Sequence, residues 1–475
     1  MKTNLETSLQ KPKKKLAMPD VFIILFSFLI LAFILSYIVP SGTYERVDMD
    51  GKTVVDPESF QYIDKEPMSI MDLFTSIVQG LIDSSNMVFL ILFVGGALAI
   101  IDSSGALKAG ISSLIRLTKG NYILLIVSFS SIFAVLSTFG VGANIVIAFV
   151  PIGILIARSL KLDPVVGVSV VFLGSYAGWA GGVFDPIVTV FAQTIAELPI
   201  FSGMLFRIVI FFLFVLVTIL YVCLYARKIK RNPAKSLMGA KFLSQMEGYD
   251  DKEDLTKLPF TTKQKIVIML FLAFLGIYLY GAFTLNWSLN ELSAIFIMMS
   301  IAVAIVLKIS PNQYVAEFMK GVKQIVYGAL VVGVARSVII ILENGQIIDT
   351  IVNSTTSTLE SFPPYVSLQL LYFFNLLFNT IITSGTGQAA IVMPIMVPII
   401  DMLDFTRQVG FLTFKLGDAI TNIITPLSGT LMACLAIAKV SYGKWLKFVT
   451  PLVIIWTIMG AILLFIAAAI QYGPF

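Results

Sequence analysis

Apolar runs, each near the length that about 30 Å of hydrocarbon requires, alternate with short polar stretches from Val21 to the end of the chain. They predict membrane helices over Val21–Val39, Met87–Ile101, Tyr122–Leu136, Ile145–Ala157, Val165–Val190, Met204–Tyr225 and Ile266–Phe283. The series continues over Ala294–Leu307, Ile325–Leu342, Val366–Ile382, Ala389–Ile400, Val409–Ala438 and Leu446–Ala469. Ser69–Ser84 and Pro311–Gln324 mix apolar and polar residues at helical spacing and are predicted to lie along the interface.

Four places break the apolar pattern. STFGVGAN, from Ser137, and TSGTGQ, from Thr383, set a Gly-x-Gly turn inside apolar sequence. GSYAGWAGGVFDP, from Gly174, and GDAITNIITPLSG, from Gly417, are too rich in glycine, proline and polar residues for a continuous helix. Non-helical backbone at membrane depth is tolerated where protein buries it or where it lines a wet cavity. The first two breaks therefore read as tips of re-entrant helical hairpins, 122–158 and 365–402, and the other two as broken membrane helices.

Charge sets the orientation. Lys11, Lys13, Lys14 and Lys15 precede the first run and place the N-terminus in the cytoplasm. The first run has no A-x-A-like cleavage site and reads as a retained helix. The acidic loop after it suits the outer side, and the basic loop Ala226–Lys265 reads as a cytoplasmic linker between two halves. On this count the first hairpin opens to the cytoplasm and the second to the outside, where the C-terminus also lies. The expected organisation is 1–66 as N-terminus, first helix and outer loop, then 67–226 as a first repeat. Linker and two connecting helices fill 227–310, and 311–475 is a second repeat.

The halves also align. Pro151-Ile152, Val166-Gly167 and Leu173-Gly174 recur 243 positions later as Pro394-Ile395, Val409-Gly410 and Leu416-Gly417. With opposite orientations from charge, this predicts two inverted-topology repeats, a recurring plan of secondary transporters whose binding site sits at the broken helices. The fold class is an all-α polytopic membrane protein of plasma-membrane type, in contact with the bilayer throughout.

Composition narrows the chemistry. The chain is 57% hydrophobic and 13% charged, with a net charge of +5 that the loops explain, so nothing argues for nucleic-acid binding. It has no histidine, and its two cysteines, Cys223 and Cys434, sit in apolar segments and read as buried thiols. No H-E-x-x-H, G-x-S-x-G or Walker A motif occurs, no cofactor is implied, and an enzyme is not expected.

The candidate site gathers the breaks. Gly140, Gly142, Gly385 and Gly387 let the backbone turn and approach a ligand. Helices starting at Ala143 and Gln388 would aim free N–H groups at a carboxylate. Thr138, Asn144, Thr383, Ser384, Thr386 and Gln388 add neutral hydrogen-bonding groups beside them. Among ionisable residues inside spans, Asp185 and Asp418 are substrate or ion contacts, or else Asp185 caps a half-helix. Arg336 and Lys415 are anion contacts, or else neutralise Glu343 and Asp418. Thr421, Asn422 and Thr425 could hold a Na⁺ ion with unwound carbonyls, or could serve the freed backbone. No metal beyond that is expected.

STFGVGANIVIAFVPI, SGTGQAAIVMPIMVPI and LGDAITNIITPLSG together resemble the C4-dicarboxylate anaerobic carrier family, particularly its YfcC-like branch, across nearly the whole chain. The resemblance implies an elevator-type homodimer in which a scaffold dimerises and a two-hairpin domain moves. It leaves the substrate between basic amino acids, exchanged as arginine for ornithine, and C4-dicarboxylates. The acids favour the amino acid, since a dicarboxylate would leave Asp185 and Asp418 harder to explain. A channel, a membrane enzyme or the permease subunit of an ATP-driven system are the remaining classes.

Overall fold

The computed structural model describes residues 20–49, 52–56, 58–64, 67–106, 109, 121–138, 142–185, 188–239, 260–285, 287, 289–359 and 362–473. Among these, seven helices are long and apolar enough to cross a membrane. The N-terminal lysines, the middle of the linker and the tip residue Gly140 lie outside the described residues.

Two helical bundles face each other. The first holds α1 (Val21–Ile38), α2 (Ile70–Asp83), α3 (Ser85–Ser103), α9 (Thr262–Thr284), α10 (Leu289–Leu307) and α11 (Pro311–Asn344). The second holds the hairpins α4/α5 (Tyr122–Leu136, Gly142–Ser159) and α13/α14 (Pro364–Ile381, Gly385–Met402). With them are the broken helices α6/α7 (Pro164–Gly181, Val188–Ile195) and α15/α16 (Arg407–Thr421, Gly429–Ile437), and the long helices α8 (Met204–Arg231) and α17 (Tyr442–Ala469). The short helix α12 (Ile348–Leu359) leads from α11 towards the second hairpin.

Local chemistry sets the helix starts. Ser69 caps α2 in a reciprocal box with Asp72, and Thr261 does the same for α9 with Gln264. Asp163 accepts from Val166 N ahead of Pro164 at the start of α6, and Ser310 accepts from Gln313 N ahead of Pro311 at the start of α11.

Neither predicted interfacial helix stands alone. Pro311–Asn344 is one continuous helix of 34 residues. α2 and α3 run antiparallel along it, with Gly80 against Gly333 and Gly95 against Gly321. A Cβ on Gly80 would collide with the Gly333 carbonyl oxygen, so the small residues are what let these backbones meet. What the structure corrects is the boundary: Pro311–Gln324 runs without a break into the span Ile325–Asn344.

The all-α expectation also needs a correction. The loop after α1 forms two small antiparallel ribbons, β1 (Gly42–Thr43) with β4 (Gln61–Tyr62) and β2 (Arg46–Met49) with β3 (Lys52–Val55). It is fastened to the corner between α11 and α12: Gly42 N donates to the Gln346 carbonyl, Ser41 Oγ to that of Gly345, and Tyr44 N to Asp349.

Candidate substrate site

Both broken helices part where the sequence places glycine, proline and polar residues. α6 ends at Gly181, and Gly182 takes φ +51°, a left-handed conformation in which a side chain would be strained. Asp185 then caps α7, its carboxylate accepting from Val188 N at 3.2 Å and Thr189 N at 2.9 Å. α15 ends at Thr421, and after the gap Ser428 caps α16 through Leu431 N.

Four buried charges gather between these breaks. Lys415 Nζ lies 3.3 Å from Asp185 Oδ2 and 3.9 Å from Asp418 Oδ2. It also stands 3.7 Å from the centroid of the Trp179 ring, a cation over an aromatic face. Trp179 Nε1 donates to Asp418 Oδ2 at 2.7 Å, while Asn422 and Asn379 reach Asp418 Oδ1 at 3.0 and 3.4 Å. Arg207, fully buried on α8, donates from Nη1 to the Gly182 carbonyl at 2.8 Å and from Nη2 to that of Ser202 at 3.2 Å. Two acids and two bases balance, which matters because an uncompensated charge at such burial costs several kcal/mol, on the order of 3–5.

The tip of the second hairpin rests on this network. Its arms are joined by Asn379 Nδ2 donating to Gln388 Oε1 at 2.7 Å and Gln388 Nε2 to Asn375 Oδ1 at 2.9 Å. Ser384 caps α14 by accepting from Gly387 N. A Cβ on Gly385 would sit 3.0 Å from Val188 and 3.2 Å from Asp418 Oδ2, so the tip backbone presses on both α7 and Asp418.

The other side of that tip is open. A cavity of about 750 Å³ is lined by Thr383, Ser384 and Gly387 of the tip and by Leu427 and Gly429 at the second break. Across it, the first bundle contributes Asp83, Asn86, Met87, Val332, Arg336 and Glu343. Arg336 stands 3.7 Å from Asp83 Oδ2 and 3.6 Å from Glu343 Oε2. At the rim, Arg46 meets both oxygens of Asp349, at 3.0 and 2.9 Å.

The structure thus brings together Asp185, Lys415, Asp418 and Asn422, with Gly385 against them. Ser384 and Gly387 face the cavity, and Thr386 Oγ1 is 3.4 Å from Ser384 Oγ. Asp185 takes the capping role, and Lys415 is neutralised by the two acids, which keeps both side chains away from the open cavity. Arg336 belongs to the opposite wall and pairs with Glu343. Gln388 is fully buried between the hairpin arms and does not begin a helix: α14 starts at Gly385 and α5 at Gly142, not at Ala143. Thr138 holds the first hairpin to the first break, its carbonyl accepting from Phe184 N at 3.1 Å, and Asn144 lies in the first turn of α5. Thr421 and Thr425 donate to the Leu376 and Thr380 carbonyls, which is service to the hairpin backbone.

Sequence reasoning missed Arg207, Asn375, Asn379, Asp83 and the Arg46–Asp349 pair. Arg207 had a usable signal, an ionisable residue within an apolar run, but it stands three residues after the start of that run and passes for an end residue.

The family model described as "C4-dicarboxylate anaerobic carrier" matches residues 18–469. "Putative basic amino acid antiporter YfcC" of Escherichia coli (strain K12) is 29% identical, over 97% of this chain and 98% of its own. A protein of Haemophilus influenzae is 26% identical over 97% and 99%. Among solved structures, the Alcanivorax borkumensis YdaH transporter is similar at 15% identity and a TM-score of 0.42, covering 96% of this chain and all of its own. Neisseria gonorrhoeae MtrF, described as one of a class of antimetabolite efflux pumps, is similar at 17% identity and a TM-score of 0.40, over 96% of this chain and 97% of its own.

Proposed function

This chain belongs to the C4-dicarboxylate anaerobic carrier family, and within it we propose that it is an exchanger of basic amino acids of the arginine/ornithine type. It is a membrane transporter and not an enzyme. The observation that carries the substrate reading is the cation site made by Asp418 and the face of Trp179, directly behind the Gly385 tip. An ammonium or guanidinium group suits that site, and the N-terminus of α14, whose cap Ser384 lines the cavity, suits the substrate carboxylate. The name of the Escherichia coli relative supports the same class.

The transport mechanism in this reading is alternating access by an elevator-like shift of the hairpin bundle against the first bundle. The antiparallel run of α2–α3 against α11, and the recurrence of hairpin, broken helix and long helix in each half, support two inverted repeats. The protein works as a plasma-membrane homodimer with its N-terminus in the cytoplasm and its C-terminus outside. The second reading is a C4-dicarboxylate carrier, favoured by the family's description, in which Arg336 and the α14 N-terminus take the two carboxylates.

Counterflow decides between them. Proteoliposomes loaded with ornithine should accumulate labelled arginine, and Asp418→Asn should abolish this while the protein still elutes as a folded species. Accumulation of labelled succinate into dicarboxylate-loaded vesicles, with no arginine uptake, would establish the second reading instead.

A further inference from the structure

Lys415 is placed as a ligand would be. Its ammonium group sits between two carboxylates and over an indole ring, in a cage whose other donors, Trp179 Nε1, Asn379 and Asn422, all point at Asp418. An amine built to bind a substrate carboxylate would face the cavity; this one is fully enclosed. It is also the nearer of two possible pairs that holds it, 3.3 Å to Asp185 against 3.9 Å to Asp418. Asp185 is in turn fixed by the N-terminus of α7. The hairpin tip at Gly385 lies against Asp418, while its neighbours Ser384 and Gly387 line the cavity.

We infer that Lys415 is a resident cation that occupies the substrate's own cation site. When the second hairpin tip lifts, the basic group of the incoming amino acid takes Asp418 and the Trp179 face, and Lys415 withdraws to Asp185. Each acid then keeps a positive partner, with and without substrate. The empty carrier is never left with a bare buried carboxylate, the costly state that follows when a buried pair loses one partner. The inference rests on the basic amino acid reading above and adds a competitor that sets its affinity.

The test is binding of labelled arginine to the purified full-length protein, with labelled succinate in parallel. Lys415→Met removes the competitor and should tighten arginine binding by about tenfold. Asp185→Asn removes the place of retreat, holds Lys415 on Asp418, and should weaken binding by about the same factor. Lys415→Arg, whose fork can grip both carboxylates at once, should also weaken it and stands in if Lys415→Met does not fold. A merely structural lysine would move Lys415→Met and Asp185→Asn in the same direction. Arginine binding that Lys415→Met weakens or leaves unchanged would overturn the resident-cation role and leave the amino acid reading in place. Failure of the folded wild type to bind arginine, with succinate bound, would remove both.

Discussion

Lys415 and Asp185 stand on different broken helices, 230 positions apart, and their ion pair at 3.3 Å ties the first break to the second. The pair fixes the relative position of two elements that no backbone hydrogen bond could hold, since each chain is unwound nearby. Asp185→Ala removes this tie together with the acceptors for Val188 N and Thr189 N. The expected loss is about 3–5 kcal/mol, the usual cost of orphaning a buried charge. Both variants leave Lys415 its second carboxylate, but Asp185→Asn keeps an acceptor for Val188 N and Thr189 N, so its loss should be smaller. Thermal unfolding in detergent, followed by tryptophan fluorescence, measures both; equal melting temperatures for the two variants would contradict this account.

The Gly385 contact predicts a graded effect at the tip. Alanine there would need Val188 or Asp418 to give by a few tenths of an ångström, and valine would push the tip off Asp418 altogether. At Gly387 the nearest atom to an added Cβ is Ser384 Cβ at 3.3 Å, an exposed neighbour that can shift. Uptake per molecule at the membrane should therefore fall from wild type to Gly385→Ala to Gly385→Val, by about tenfold or more at the last step. Gly387→Ala should stay within about twofold of wild type.

What the sequence made legible follows from what each feature depends on. The breaks after Gly181 and Thr421 were readable because glycine, proline and polar residues cluster there, whereas isolated prolines such as Pro151 and Pro394 are absorbed inside helices. Asp185, Lys415 and Asp418 were readable one at a time because charge inside an apolar run is costly in any context. The pairs Lys415–Asp418 and Arg336–Glu343 were also readable, but the nearer partner of Lys415, Asp185, was not, because pairing across 230 positions is set by packing. The continuity of Pro311–Asn344 was hidden for a related reason. Lys320 and Lys323 mark a membrane surface when read alone, yet nothing in them stops a helix. Arg207 was hidden by its position near the end of a run, where charges are ordinary.

The rim pair Arg46–Asp349 should be asymmetric. Arg46 is 43% exposed, and an exposed ion pair contributes about 0–1 kcal/mol. Asp349 is 6% exposed and also accepts from Tyr44 N, so it anchors the ribbon loop to the corner between α11 and α12. Asp349→Ala should consequently loosen the loop far more than Arg46→Ala. Limited proteolysis within 41–62 on the purified protein reads this out: rapid cleavage of the aspartate variant and near-wild-type resistance of the arginine variant are expected.

Arg207 offers the sharpest separation of charge from shape. Its guanidinium spans the Gly182 and Ser202 carbonyls, and with Lys415 it offsets Asp185 and Asp418. Arg207→Met keeps much of the apolar stem but leaves the buried set with a net charge of −1; the carbonyls of Gly182 and Ser202 each keep one donor, Thr189 Oγ1 at 3.1 Å and Gln193 Nε2 at 3.0 Å. Arg207→Lys restores the charge, yet one ammonium cannot reach two carbonyls with the fixed fork of a guanidinium. If charge balance dominates, lysine should recover most of the stability lost in the methionine variant, about 3–5 kcal/mol. If bridging dominates, the two variants should melt together. Because both carbonyls keep a second donor, charge balance should win: Arg207→Lys should recover most of the loss, and the double variant Arg207→Met/Asp418→Asn, again neutral, should be partly rescued relative to Arg207→Met.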